Sequence, residues 1–251
     1  AWSPSTTSWV NVLNGTPTAT IVSITPNPVH YGSTASFIGL GSDLDGNVTT
    51  YSWRSSIDGS LSSNRNFTSD NLSIGNHTIY FKVKDDDNQW STEVSTWLKV
   101  NSYPVVNITS ISPNPAYRND LNGTITYFNS SSSDSDGSVT NHYWNSSKDG
   151  VLDSSANFTI NVNTLSWGNH TITLGVRDSD GAWTTVTSYL VVKSYPNATI
   201  NSISHTVAHD GTQVTFNGAG SDSDGSITGY HWRSSIDGTL SNSADFSTTD
   251  L

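Results

Sequence analysis

The sequence predicts an all-β chain of tandem β-sandwich domains of about 90 residues each, and three observations carry that expectation. Asp-x-Asp-Gly occurs at 43–46, 134–137 and 222–225, each time followed, eight residues after the second aspartate, by a tryptophan: Trp53, Trp144 and Trp232. Successive tryptophans lie 91 and 88 residues apart, and self-similarity at a fixed period is the mark of a repeat architecture. Between turn-forming stretches such as PNP, DLDG, IDG and DDD the polar and apolar residues alternate with period two, as half-buried strands require. No stretch offers the apolar stripe of an amphipathic helix.

The elements follow in order. TATIVSI (18–24), TASFIGL (34–40), TTYSWRS (49–55), HTIYFKVK (77–84) and STEVSTWLKV (91–100) are rich in β-branched and aromatic residues and read as strands. Asp58-Gly59, Asp149-Gly150 and Asp237-Gly238 mark a second corner five residues beyond each tryptophan. GNHTIYFKVKDDDNQW at 75–90 matches GNHTITLGVRDSDGAW at 168–183, and NSYP at 101 matches KSYP at 193. This register places domains at 17–102, 105–194 and 196–251. The last is truncated, because Leu251 aligns with Leu72, and residues 1–13 match the final strand of a preceding repeat. The chain therefore reads as about three periods of a longer array, with the truncated ends completed by the same chain or a neighbouring one.

Composition narrows the function. The formal charge is −11, with only 10 lysines and arginines, which disfavours nucleic acid as a partner because phosphate neutralisation needs a basic face. With no cysteine there are no disulfides, so each core must hold by packing. No apolar run approaches the length of a membrane span. Asn-x-Ser/Thr sequons begin at Asn14, Asn47, Asn66, Asn71, Asn76, Asn107, Asn122, Asn129, Asn145, Asn157, Asn169 and Asn197. A chain this rich in Asn, Ser and Thr makes many by chance, yet NFT recurs at Asn66 and Asn157 and GNHT at Asn76 and Asn169. A glycosylated cell-surface protein is the expectation.

The runs G-S-D-x-D-G-x-(V/I)-T-x-(Y/H)-x-W and G-N-H-T-I-x-x-x-V-x-D-x-D-G-x-W resemble the polycystic kidney disease (PKD) repeat of the immunoglobulin-like superfamily. The resemblance spans 17–251. It departs from the family after the tryptophan, where W-D-F-G-D-G is usual and this chain has Trp53-Arg54-Ser55-Ser56-Ile57-Asp58-Gly59. That W-x-S-S-x-D-G form looks like relatives in archaeal and bacterial surface proteins and in secreted hydrolases. The resemblance implies a non-catalytic spacer, adhesion module or surface-coat element, and the partners expected are neighbouring repeats or copies, with glycans as a further candidate.

In the immunoglobulin-like topology the corners B–C and F–G share one pole. That gathers Asp43 and Asp45 with Asp85 and Asp87, and Asp134 and Asp136 with Asp178 and Asp180, while Asp222 and Asp224 mark the third B–C corner. Two readings stand at this point. Clustered carboxylates repel one another unless a cation compensates, and calcium accepts such irregular oxygen sets. Alternatively each Asp-x-Asp-Gly is an Asx turn, its carboxylates capping its own amides and its glycine taking positive φ. Short proline-bearing linkers add the expectation of a semi-rigid rod.

Other residue types are assigned to structure. Trp53, Trp144 and Trp232 are expected in the cores. Trp2, Trp90 and Trp183 follow the F–G corner, while Trp9, Trp97 and Tyr189 lie on strand G, and alternation would turn about half of these inward. His77 and His170 recur at the start of strand F as packing or hydrogen-bonding residues; no zinc pattern is present. Paired turn aspartates offer no glycosidase cleft, and no serine has a histidine partner at a matched position, so no enzyme is expected. The best reading is a structural stalk, filament or coat protein; the alternative is an adhesion or carbohydrate-binding module.

Overall fold

The computed structural model describes residues 1–8, 14–118 and 124–251. The first repeat forms β1 (Thr18–Thr25), β2 (Val29–His30), β3 (Ala35–Ser42), β4 (Val48–Ser55), β5 (Gly59–Ser62), β6 (Asn66–Ser69), β7 (Gly75–Asp85) and β8 (Val94–Asn101). Its two sheets have the orders β1-β3-β6 and β2-β8-β7-β4-β5. All pairings are antiparallel except the short parallel pairing of β2 with β8.

The second repeat repeats the pattern with β9 (Val105–Ser112), β10 (Ala116–Arg118), β11 (Ile125–Ser133), β12 (Val139–Ser146), β13 (Gly150–Asp153), β14 (Phe158–Asn161), β15 (Gly168–Asp178) and β16 (Trp183–Ser194). Its sheets run β14-β11-β9 and β10-β16-β15-β12-β13. A single 3₁₀ turn, Val162–Thr164, follows β14. The third repeat has β17 (Asn197–Ile203), β18 (Val214–Ser221), β19 (Trp232–Ser234), β20 (Gly238–Ser241) and β21 (Asp245–Thr248). The tandem β-sandwich architecture expected from the repeat is what the chain adopts.

Packing explains why the pattern folds this way. In the first sandwich Trp53 is fully buried, stacked on Phe81 (centroids 4.1 Å apart) and edge-on to Phe37 and Phe67 (both 5.8 Å). Its indole N–H donates to the Arg65 carbonyl at 3.3 Å. Phe128, Trp144 and Phe158 rebuild the edge-on arrangement in the second repeat, and Phe216, Trp232 and Phe246 in the third. Gly39 makes the first packing possible: a Cβ there would lie 2.7 Å from the Trp53 ring and 2.6 Å from that of Phe81. Gly39→Ala is expected to destabilise the first sandwich by about 1–3 kcal/mol through overpacking, read as a lower urea midpoint of the first-repeat signals.

Two expectations need correction here. Trp232 is only half-buried, whereas Trp53 and Trp144 are fully enclosed. The strands that cover those two, β7 and β15, have no counterpart among residues 196–251. For the same reason ITGYHW forms strand only from Trp232 onward, since residues 227–231 have no ladder to join. Second, the aromatics after the F–G corner and on strand G do not divide evenly between inside and outside. Trp2, Trp90, Trp97, Trp183 and Tyr189 are all exposed, and Lys82 covers the Trp90 ring at 4.6 Å. Residues 1–8 carry no strand; residues 9–13, Trp9 included, and the sequon at Asn122 lie outside the described residues.

The chain divides into two compact units. The first comprises 1–105 with 133–140 and 177–184; the second comprises 106–132 with 141–176 and 185–251. The aspartate corners of the second repeat thus belong to the same compact unit as the first repeat.

Candidate functional site

Within the first unit, the end of β8 and the linker behind it run onto the aspartate corners at 133–140 and 177–184. Ser102 is buried, and its hydroxyl donates to the Asp136 carboxylate and lies 3.0 Å from both Asp134 Oδ1 and Ser135 Oγ. Its N–H donates to Asp136 at 3.2 Å. Asn101, with no exposed surface, donates from Nδ2 to Asp178 Oδ2 at 2.9 Å. Lys99 completes the contact, its Nζ 2.5 Å from Asp180 Oδ2 and 4.0 Å from Asp136 Oδ2. The hydrogen bond to Asp180 raises the Lys99 pKa above the usual lysine value.

The same clasp recurs inside the second unit. Ser194 Oγ donates to Asp222 Oδ1 at 2.9 Å and to the Asp224 carboxylate, and lies 2.7 Å from Ser223 Oγ; its N–H donates to Asp224 at 2.8 Å. The Ser194 hydroxyl and N–H hold the Asp224 carboxyl below its usual pKa. A linker serine seated on Asp-Ser-Asp is therefore a repeated device. Tyr195 stacks on Tyr117 at 4.9 Å, as Tyr103 lies against His30 at 5.6 Å in the first unit.

The first corner, Asp43 to Gly46, differs. Gly15 stands where the serines stand, and its N–H donates to Asp45 Oδ2 at 2.8 Å. With its amide nitrogen turned to the acids, Asn14 donates to Asp45 (3.2 Å) and Asp87 (3.1 Å) and accepts from Gln89 Nε2 at 2.6 Å. Asp86 accepts from the Asn47 N–H at 3.1 Å, which lowers its pKa. Asp43 is raised by desolvation and by the neighbouring Asp45 and Asp85.

The structure corrects the Asx-turn reading in two respects. At the B–C corners the carboxylates accept chiefly from the linker, with Asp224 N–H to Asp222 Oδ1 at 3.4 Å inside the turn, whereas at Asp178-Ser179-Asp180-Gly181 the Asx turn forms as expected, Asp178 Oδ1 accepting from the Asp180 and Ala182 amides at 2.9 and 2.8 Å and Gly181 taking positive φ. The corner glycines Gly46, Gly137 and Gly225 are absent from the positive-φ set, which instead holds Gly59, Gly150 and Gly238 of the second corner. What demands glycine at the first is space: a Cβ would lie 2.8, 2.7 and 2.5 Å from the oxygens of Asp43, Asp134 and Asp222. Among the described residues no three His, Asp or Glu side chains stand at metal-binding spacing.

A serine–histidine pairing at matched positions, which the sequence reading denied, is present. Ser55 Oγ lies 2.6 Å from His77 Nδ1, and Ser146 Oγ 2.8 Å from His170 Nδ1. Each histidine presents Nε2 to a carbonyl, Ser73 at 2.7 Å and Ser166 at 2.8 Å, so Nε2 carries a hydrogen and donates. Asp58 and Asp149 stand beside the same Nδ1 atoms at 3.6 and 3.2 Å. Both histidine side chains are fully enclosed and Ser55 Oγ already accepts from the Ile57 and Asp58 amides. In the first repeat the trio ties β4 to β7, with the serine and histidine enclosed and the aspartate at the edge. In the third repeat Ser234, lacking a histidine, donates to Asp237 instead. The signal was the pairing of W-x-S-S-x-D-G with G-N-H-T at constant offset.

Asn66 and Asn157, of the recurring NFT, use Oδ1 to accept from the Gly39 and Ser130 amides at 3.1 and 2.7 Å. Asp245 does the same for Gly218 in the third repeat, so an acceptor, not an amide, is what the fold needs there.

Comparison with known proteins agrees with this architecture. Residues 19–96 match the family model of the PKD domain. The N-terminal eight Ig domains of Down Syndrome Cell Adhesion Molecule are 13% identical over 90% of this chain and 30% of theirs, with a TM-score of 0.54. Fibronectin(III)-like modules of Clostridium thermocellum CbhA are 20% identical over 70% of this chain and 95% of theirs, with a TM-score of 0.37. A 1.5-MDa bacterial ice-binding adhesin is 13% identical over 87% and 80%, with a TM-score of 0.31. No curated protein matches the chain. The strand order and the core tryptophan agree with the match of residues 19–96 to the PKD domain, and the second repeat has the same order of strands in its two sheets.

Proposed function

We propose that the chain is a non-enzymatic, extracellular structural protein whose sandwiches are joined end to end as a stalk, filament or surface coat. The supporting observation is the repeated clasp, Ser102 on Asp134 and Asp136 and Ser194 on Asp222 and Asp224. A linker that hydrogen-bonds the next corner at both junctions resists bending, which is what a spacer requires and a catalyst does not. The PKD match adds support, and among the described residues no helix is long and apolar enough to cross a membrane.

The expected result for the Ser102→Ala, Ser194→Ala double variant is a wider distribution of interdomain angles in small-angle scattering and electron micrographs, with each sandwich still folded. A wild-type distribution as broad as the variant's would overturn the stalk reading. Glycosylation belongs to the same proposal. Asn76 and Asn169 are exposed at matching positions, and intact mass before and after enzymatic deglycosylation of native material is expected to reveal glycans there.

One observation favours a second reading, a carbohydrate-binding or adhesion role. Trp97 is 64% exposed beside a groove of about 460 Å³ lined by Thr20, Ser23, Asn27 and Ser95, and Tyr189 is as open in the second repeat. Aromatic faces beside hydroxyl-rich grooves suit sugar stacking. A glycan array in which Trp97→Ala loses all binding would support it; an array with no signal for the wild type would end it.

A further inference from the structure

The run G-N-H-T recurs at 75–78 and 168–171, and the fold accounts for only half of it. Gly75 and Gly168 take positive φ, 137° and 103°, and His77 and His170 are the enclosed partners of Ser55 and Ser146. Asn76 and Thr78, like Asn169 and Thr171, have side chains that make no hydrogen bond among the described residues, and both asparagines are exposed. The N-F-T asparagines differ, since Asn66 and Asn157 already serve backbone amides. The register of β7 on β8 sets Thr78 opposite Trp97 and Asn76 opposite Lys99, while His77 and Leu98 between them point into the core. The sequon and the indole therefore share the outer face. Lys99 reaches away to Asp180. The neighbour left to Asn76 is Trp97, one diagonal step off, a spacing of about 7–8 Å that a long side chain bridges. Tyr189 holds the same place in the second repeat: the Asn27 side chain brackets Trp97 and Lys99, and that of Asn114 brackets Tyr189 and Val191. Trp97 is 64% exposed and Tyr189 67%.

A pyranose carries C–H bonds on one face and can lay that face on an aromatic ring, apolar against apolar, while its hydroxyls keep their water. We propose that Trp97 and Tyr189 are stacking platforms for the first sugars of N-linked glycans carried by Asn76 and Asn169. This rests on glycosylation of the two asparagines and gives the sugar a structural role: it covers an aromatic face that the fold leaves open and fastens β7 to β8, and β15 to β16, from outside. Attachment forms a bond from the asparagine Nδ2 to the anomeric carbon of a phosphate-activated sugar. That carbon's bond to the phosphate leaving group breaks, and Nδ2 gives up one proton. The side chains of Asn76 and Asn169 are free to react because the fold makes no use of them, and each aromatic is in place to receive the product.

The test is a two-by-two comparison of Asn76→Gln and Trp97→Ala in the full chain made in a glycosylating host, after glycopeptide mapping of native material. Asn76→Gln is expected to lower the melting temperature of the first sandwich by about 4 °C, a shift readily measured in a domain of this size. In the Trp97→Ala background the same change is expected to have little effect, and Trp97→Phe, which keeps a ring, is expected to retain most of the coupling. Nuclear magnetic resonance gives a second readout: protons of the first sugar at Asn76 are expected to move upfield over the indole and to lose that shift in Trp97→Ala. Native material without sugar at Asn76 and Asn169 overturns this proposal and the glycosylation reading together. Sugar present at Asn76, with an equal effect of Asn76→Gln in both backgrounds and no upfield shift, overturns the platform alone. So does Trp97-dependent binding of free oligosaccharides that is equally strong in the glycosylated wild type and in Asn76→Gln, since the ring would then be open.

Discussion

Trp53→Ala is expected to destabilise the first sandwich by about 3–5 kcal/mol, the range for deleting a large aromatic from a packed core. The side chain is fully enclosed, touches Phe37, Phe67 and Phe81 from both sheets, and its N–H satisfies the Arg65 carbonyl. Alanine would leave a cavity where the two sheets meet and an unmet carbonyl beside it. Since a domain's net stability is about 5–15 kcal/mol, this change approaches the whole reserve. Urea denaturation followed by hydrogen exchange of β4 and β7 amides checks it. Trp232→Ala is expected to cost less, because that ring is already partly exposed. Equal losses at the two positions would contradict the packing account.

Asp178→Ala is the second large effect, about 2–4 kcal/mol. The carboxylate accepts from Asn101 Nδ2 (2.9 Å), Asp180 N–H (2.9 Å) and Ala182 N–H (2.8 Å), and two of these donor residues, Asn101 and Ala182, are themselves buried. A buried donor without an acceptor costs roughly 1–3 kcal/mol. Burial opposes ionisation of Asp178, but the Asn101 amide and the Ala182, Asp180 and Gly181 amides outweigh it and hold the pKa below the usual aspartate value. A lowered folded-state pKa means the stabilisation is fully present above the unfolded value, about 3.9. It is lost as the pH falls through the lower folded value. Melting temperatures between pH 2 and 7 are expected to drop in that acidic window for the wild type and to change less there for Asp178→Asn. An unchanged acid limb in the variant would remove Asp178 from the account.

Much of this molecule was legible in its chain. The period of Trp53, Trp144 and Trp232, the alternation of the strands and the turn residues between them determine a tandem of sandwiches, because side-chain alternation and turn chemistry are local properties that each repeat states again. Where the aspartates gather was also legible, since corners B–C and F–G share a pole in this topology.

What the sequence could not decide was who meets whom across long separations. The link from Ser55 to His77 spans 22 residues and that from Asn101 to Asp178 spans 77; neither leaves a local periodic trace. The same limit hid why Gly46 is glycine, which rests on the approach of a carboxylate and not on a turn's φ. It hid as well that Trp97 and Tyr189 face outward together. Local pattern determined the strands and their order; only the tertiary structure decided which polar groups found partners, because hydrogen bonds among distant loops depend on side-chain positions fixed by the packed core.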